Sequence, residues 1–243
     1  MLLSARDVWS GYGDITILEG AGIDIDTGET VAVLGRNGVG KTTFVRALSG
    51  ALPCKRGSIR LEGIDITTLA AHERAKRGVA YVPQGRQIFS QLTVMENILV
   101  GAYASGFETT RVARLIDELL SYFESLKPKL KHLGGSLSGG QQQLLALARA
   151  LITEPKVLLL DEPSEGIQPS LLDDIADVLN RVSVGRGLAI LLVEQNLDFA
   201  RRLATRGYLM ESGKIKREVK IDESSNDREL ERELFGAVAP EGA

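Results

Sequence analysis

The chain has 243 residues, 44% of them hydrophobic and 25% charged, enough apolar material for a sizeable core and too much for global disorder. Lys and Arg number 29 against 32 Asp and Glu, and the net charge of −3 argues against a surface built wholly for nucleic acid. Cys54 is the single cysteine, and His72 and His132 are the only histidines, which excludes an internal disulfide, a thiolate metal cage and a His-rich metal site.

The apolar run Leu188–Val193 stops far short of the roughly 20 residues that a spanning helix needs. Met1–Leu3 meets Arg6 and Asp7 before a signal-type stretch develops, so a cytoplasmic chain is expected, with any membrane role supplied by a partner. Val8–Tyr12, Ile17–Ile25 and Ser58–Leu61 read as strands of an N-terminal antiparallel sheet. Thr30–Leu34, Gly78–Val82, Val157–Leu160 and Ala189–Val193 read as central strands of an α/β core; all but Gly78–Val82 are apolar on both faces. Helices are expected at Lys41–Ser49, Arg111–Phe123, Gln141–Leu151 and Leu171–Val182, each with its apolar residues on one face. The strand pattern disappears between Gln84 and Ile152, which predicts an inserted helical subdomain over roughly residues 86–152. One domain is therefore expected over residues 1–236, ending in a short helix at Glu229–Phe235, with a frayed tail at 237–243. Lys214, Lys216, Arg217 and Lys220 alternate as on a solvated strand, and Cys54 reads as a loop or partly buried thiol.

Gly35-Arg36-Asn37-Gly38-Val39-Gly40-Lys41-Thr42 follows a strand and opens a helix, the setting of a phosphate-binding P-loop. Its glycines let backbone N–H groups turn around the β-phosphate, Lys41 reaches the β/γ oxygens, and Thr42 offers a hydroxyl to Mg²⁺. The apolar strand Val157–Leu160 runs into Asp161 and Glu162. Alone this is equally a strand ending at a solvated acidic turn; beside a P-loop, Asp161 would meet Mg²⁺ and Glu162 would polarise the attacking water. Leu137-Ser138-Gly139-Gly140-Gln141 opens a helix, with Ser138 a plausible cap and the glycines exposing backbone N–H groups; alone it is an N-cap.

The P-loop, LSGGQ and LLLLDE, in that order over nearly the whole chain, resemble the ATP-binding subunits of ABC transporters. The resemblance implies a P-loop NTPase core with an N-terminal antiparallel β subdomain and an inserted helical subdomain. It also implies a head-to-tail dimer, with itself or a sister ATPase, in which each ATP lies between one P-loop, including Thr43, and the partner's Ser138, Gly139, Gly140 and Gln141. Tyr12 matches the aromatic that stacks on adenine, although a core aromatic would read the same way. Gln84 matches the glutamine that contacts Mg²⁺ and links the site to the helical insert. Arg86–Leu99 matches the region that docks a membrane permease, with Phe89 and Leu92 open to that role or to burial.

Two positions depart from the family pattern. Gln195 stands where a histidine usually holds the γ-phosphate and attacking water, and it can donate a hydrogen bond but carries no charge. Glu165-Gly166-Ile167-Gln168 replaces the usual Ser-Ala-Leu-Asp turn, so Gln168 lacks the carboxylate that speaks across the dimer. VEQN, YVPQGRQIF and EGIQPS look like the second ATPase subunit of branched-chain amino acid uptake systems. LGRNGVGKTT, SEGIQPS and AILLVEQNLDFARRLA look most similar to urea and short-chain amide importers. The resemblance thus implies an ATPase using ATP and Mg²⁺, peripheral on the cytoplasmic face of the membrane, with permease subunits, an indirectly linked solute-binding protein and no nucleic acid. The alternative is an ATP-binding regulatory subunit with little hydrolysis of its own.

Overall fold

Apolar residues on both faces of Thr30–Leu34, Val157–Asp161 and Ala189–Glu194 leave these strands no stable place except the middle of a sheet covered on each side. The computed structural model describes residues 1–221 together with Leu230 and Leu234. The chain opens with β1 (Leu3–Tyr12), β2 (Ile15–Ile25), β3 (Thr30–Leu34), α1 (Lys41–Ser49), β4 (Arg56–Leu61), β5 (Ile64–Asp65), α2 (Ala71–Lys76) and β6 (Val79–Val82). Helices follow: α3 (Val94–Ala104), α4 (Thr109–Tyr122) and α5 (Gly139–Leu151), with 3₁₀ turns at Glu124–Lys129 and Gly134–Ser136. The remainder is β7 (Val157–Asp161), α6 (Pro169–Arg186), β8 (Ala189–Glu194), α7 (Leu197–Leu203), β9 (Arg206–Glu211) and β10 (Lys214–Lys220).

The strands form two sheets. One is antiparallel, in the order β2-β1-β4-β5; the other runs β10-β9-β3-β8-β7-β6 and is parallel except at β10. Alternation along the buried strands divides the core. Val157 and Leu159 face α1 and the antiparallel sheet, beside Phe44, Leu48, Leu3 and Ile23. Leu158 and Leu160 face the helical half, beside Leu144, Leu147, Ile175 and Leu179. Between β6 and β7 the described chain is helical or irregular, with one isolated bridge between Thr93 and Leu133.

Several expected boundaries move. The helices at Arg111, Gln141 and Leu171 each begin two residues earlier than expected, at Thr109, Gly139 and Pro169. The last begins there because Pro supplies a helix-ready φ at the first position. The strand Val157–Leu160 runs on through Asp161, and Ala189–Val193 through Glu194. Of the helix expected at Glu229–Phe235, Leu230 and Leu234 are helical and buried; its other residues and the 237–243 tail lie outside the described residues.

A buried cation anchors α1 from behind. Arg74 donates from Nη1 to the carbonyls of Ala47 and Leu48 at 2.7 and 2.8 Å, from Nε to Leu69 O at 3.0 Å and from Nη2 to Thr67 O at 2.7 Å. A guanidinium there answers both the orphan carbonyls and the negative end of the helix dipole. Arg74→Met keeps much of the stem and leaves these acceptors dry, so a loss of about 3 kcal/mol is expected. The midpoint of urea unfolding checks it.

Candidate active site

The parallel register places Leu34 opposite Glu194, and Val193 opposite Asp161. The chain therefore leaves β3, β7 and β8 at one level, the carboxyl edge where open α/β sheets bind ligands. From β3 it turns through Gly35–Gly40 into α1. Gly38 and Gly40 have φ of 80° and 109°, a conformation that side-chain-bearing residues rarely adopt. Gly40 caps α1 with no side-chain hydrogen bond, so the first N–H groups of the helix present their positive end to an anion.

Lys41 is only 3% exposed. Its Nζ donates to Gly35 O at 2.9 Å and Arg36 O at 3.1 Å, and it pairs with Glu162 Oε1 at 3.0 Å. Thr42 donates its hydroxyl to Asp161 Oδ1 at 3.0 Å, while Thr43 is buried in the helix. Arg36 and Asn37 are exposed, and Arg36 Nε donates to Leu234 O at 2.9 Å. Val39 is half-buried, and its carbonyl accepts from Gly213 N.

Asp161 is buried, and burial pushes its carboxyl above the usual carboxylate range although the hydroxyls of Thr42 and Tyr81 pull the other way. Tyr81 donates to Oδ2 at 3.1 Å, and burial beside that carboxylate pushes its own phenol up to about 12, which keeps it a donor at neutral pH. Glu162 follows with φ of 47°, its N–H donating to Val193 O at 2.9 Å. Gln84 Nε2 reaches both Glu162 Oε2, at 3.2 Å, and Glu165 Oε2, at 2.8 Å. Glu162, Glu165, Ser164, Glu194, Gln195 and Asn37 line a cleft of about 440 Å³.

Ser138 caps α5 through a reciprocal pair with Gln141, whose Oε1 also accepts from Lys129 Nζ at 2.8 Å. None of Ser138–Gln141 lines the cleft. The two glycines there do more than expose N–H groups. A Cβ on Gly139 would lie 3.0 Å from the Arg86 guanidinium, and one on Gly140 would lie 2.4 Å from Leu171 Cδ1. Tyr12 is 45% exposed at the end of β1 and accepts from Arg46 Nη1 at 3.2 Å, so it is not a core aromatic. Sequence reasoning missed Tyr81 and the Gln84–Glu165 contact. The visible signal was a polar-tipped Tyr81 in a strand otherwise made of Val and Ala.

A family model described as ABC transporter matches residues 18–165, well over half of the chain. The chain belongs to the ABC transporter ATP-binding family. Among relatives, the high-affinity branched-chain amino acid transport ATP-binding protein BraG of Pseudomonas aeruginosa is 38% identical, over 88% of this chain and 91% of its own. The lipopolysaccharide export system ATP-binding protein LptB of Haemophilus influenzae is 32% identical, over 97% of both chains. Among solved structures, the ADP conformation of MJ1267, an ATP-binding cassette of an ABC transporter, superposes with a TM-score of 0.85 at 26% identity, over 96% of both chains. This ABC chain is thus the ATP-hydrolysing subunit of a transporter, with the P-loop NTPase fold of its family.

The donor set suits a hard cation. Thr42 offers a hydroxyl, Asp161 a carboxylate and Gln84 an amide oxygen, and among the described residues no cluster of three or more His, Cys, Asp or Glu competes for a metal. Tyr81→Phe removes a bond that favours ionised Asp161, so the Asp161 carboxyl should move further upward. The acidic limb of the ATPase pH profile should therefore shift to higher pH, a change read from steady-state rates across the acidic range.

Proposed function

We propose that this ATPase drives solute import from the cytoplasmic face of a membrane, with hydrolysis carried out at the carboxyl edge of β3, β7 and β8. The convergence of Lys41, Glu162 and Gln84 beside the uncapped start of α1 carries the reading. In it, the N–H groups of residues 35–43 and Lys41 hold the β- and γ-phosphates, and Tyr12 stacks on adenine. Thr42, Asp161 and Gln84 would hold Mg²⁺, which when bound neutralises phosphate charge. Glu162 takes the proton of the attacking water, and Gln195 donates to a γ-phosphate oxygen.

A dimer is part of the same reading. Ser138–Gln141 stand outside the cleft of their own chain, so a second cassette, identical or a sister, would present these residues to the nucleotide. Permease docking is supported by the surface between β6, α3 and α5, where Phe89 is 46% and Tyr103 69% exposed; Leu92, half-buried, does not line it. Branched-chain amino acids follow from the name of BraG, and urea or short-chain amides from the resemblance of residues 34–43, 164–170 and 189–204. A periplasmic or extracellular solute-binding protein would deliver either.

Three outcomes test the reading. Lys41→Ala should abolish ATP binding and hydrolysis together, measured by nucleotide titration and phosphate release; near-wild-type affinity would refute the phosphate cradle. Glu162→Gln should keep binding and slow turnover by about 10²–10⁴-fold, with a larger species on gel filtration in ATP than without it. Deleting the gene should lower cellular uptake of urea, short-chain amides or leucine; uptake unchanged for all of them would count against import of these solutes.

A further inference from the structure

Glu194 ends β8 with a side chain only 2% exposed, and among the described residues no salt bridge reaches it. Its charge is met by backbone N–H groups and by the Ser164 hydroxyl. Oε1 accepts from Ser164 N at 2.9 Å, and Oε2 accepts from Gln195 N and Asn196 N, each at 3.1 Å. Burial pushes the carboxyl upward in pKa, and the Ser164 hydroxyl and these N–H groups oppose the shift. A core position needing only packing is filled more cheaply by an apolar side chain, because a buried carboxylate carries a desolvation cost of several kcal/mol.

The bonds fall where the chain most needs fixing. Glu162 sits at a positive φ of 47°, a conformation that costs on the order of 1 kcal/mol and persists only when its surroundings impose it. One side is held by Glu162 N donating to Val193 O at 2.9 Å. Pro163 has no N–H, so Ser164 N–H is the first backbone donor beyond Glu162, and Glu194 takes it. The other oxygen holds the turn that carries Gln195, and Asn196 in that turn caps α7 by accepting from Phe199 N at 3.0 Å.

We propose that Glu194 is a positioning residue for ATP hydrolysis, its two carboxylate oxygens clamping the turn after Glu162 to the turn bearing Gln195 so that both side chains face one cleft at a fixed separation. The proposal rests on the reading above in which Glu162 and Gln195 act at the γ-phosphate. It assigns Glu194 no contact with nucleotide. Its effect belongs to the chemical step, because the phosphate-holding N–H groups of α1 and Lys41 are attached to β3 instead.

Glu194→Gln is nearly isosteric but turns an NH₂ towards a set of N–H donors, whereas Glu194→Asp keeps the charge on a shorter stem. In the full chain, Glu194→Gln should lower kcat on the order of 10–10²-fold, the scale of a small misplacement of catalytic groups. ATP affinity and KM should stay within about twofold, with a lower melting temperature but a chain still folded at the assay temperature, and Glu194→Asp should recover part of kcat. Added to Gln195→Ala, Glu194→Gln should cost less than it does alone, as expected for groups acting through one turn. Wild-type kcat in Glu194→Gln overturns the proposal. So does a parallel loss of kcat, affinity and melting temperature without recovery by Asp, which marks a purely structural carboxylate. Should Gln195→Ala alone leave kcat unchanged, the reading of Gln195 fails, and a kcat-only loss in Glu194→Gln still supports the clamp through Ser164.

Discussion

Parallel pairing of β3, β7 and β8 in one register governs the chemistry of this chain. Hydrogen bonds between these strands place Leu34 beside Glu194 and Asp161 beside Val193, although more than 150 positions separate the first strand from the last. A shift of one residue in any of the strands would exchange the side chains that face its two cores and carry its terminal side chain to the wrong side of the sheet. Such a shift is blocked by packing. Val157 and Leu159 belong to one core and Leu158 and Leu160 to another, so both faces resist slippage. The level at which the cleft forms is thus set by two hydrophobic cores, and its own polar groups act within that frame.

The polar groups at that edge are instead a problem that the fold has to solve locally. Asp161 and Glu194 are both buried carboxylates, and among the described residues neither has a basic side chain as a hydrogen-bond partner. Asp161 is stabilised by two hydroxyls and Glu194 by the Ser164 hydroxyl and backbone N–H groups, so their charge is spread over neutral dipoles that hold direction as well as energy. Lys41 differs: it is anchored by carbonyls of its own loop and by Glu162. The site therefore combines one buried cation with carboxylates whose orientation is set from behind.

Much of this was legible in the sequence. Lys41–Ser49 was bounded correctly because the P-loop marks its start and Gly50, with φ of 80°, its end. The central strands were visible as unbroken apolar runs. The helix Val94–Ala104 was not anticipated, since Leu99, Val100, Ala102 and Tyr103 spread apolar character around the helix; its one clear signal was the Thr93…Glu96 capping box. β9 escaped because Gly207 interrupts it, and a Cβ there would lie 2.8 Å from Ala32 O, so that residue reflects close strand approach rather than a turn. The Tyr81–Asp161 bond joins residues 80 apart on neighbouring strands, and the Glu194 clamp joins residues 30 apart. Neither follows from local periodicity, because each depends on strand order.

The bare α-carbon of Gly140 has a mechanical consequence. It lets the first turn of α5 sit directly against Leu171, in the first turn of α6. With only the Leu171 side chain between them, the two helices approach closely at this point, and α6 is joined through Pro169 to the Ser164–Gln168 turn. The LSGGQ surface and the segment beside Glu162 are thus linked through one close helix–helix contact rather than through a long loop.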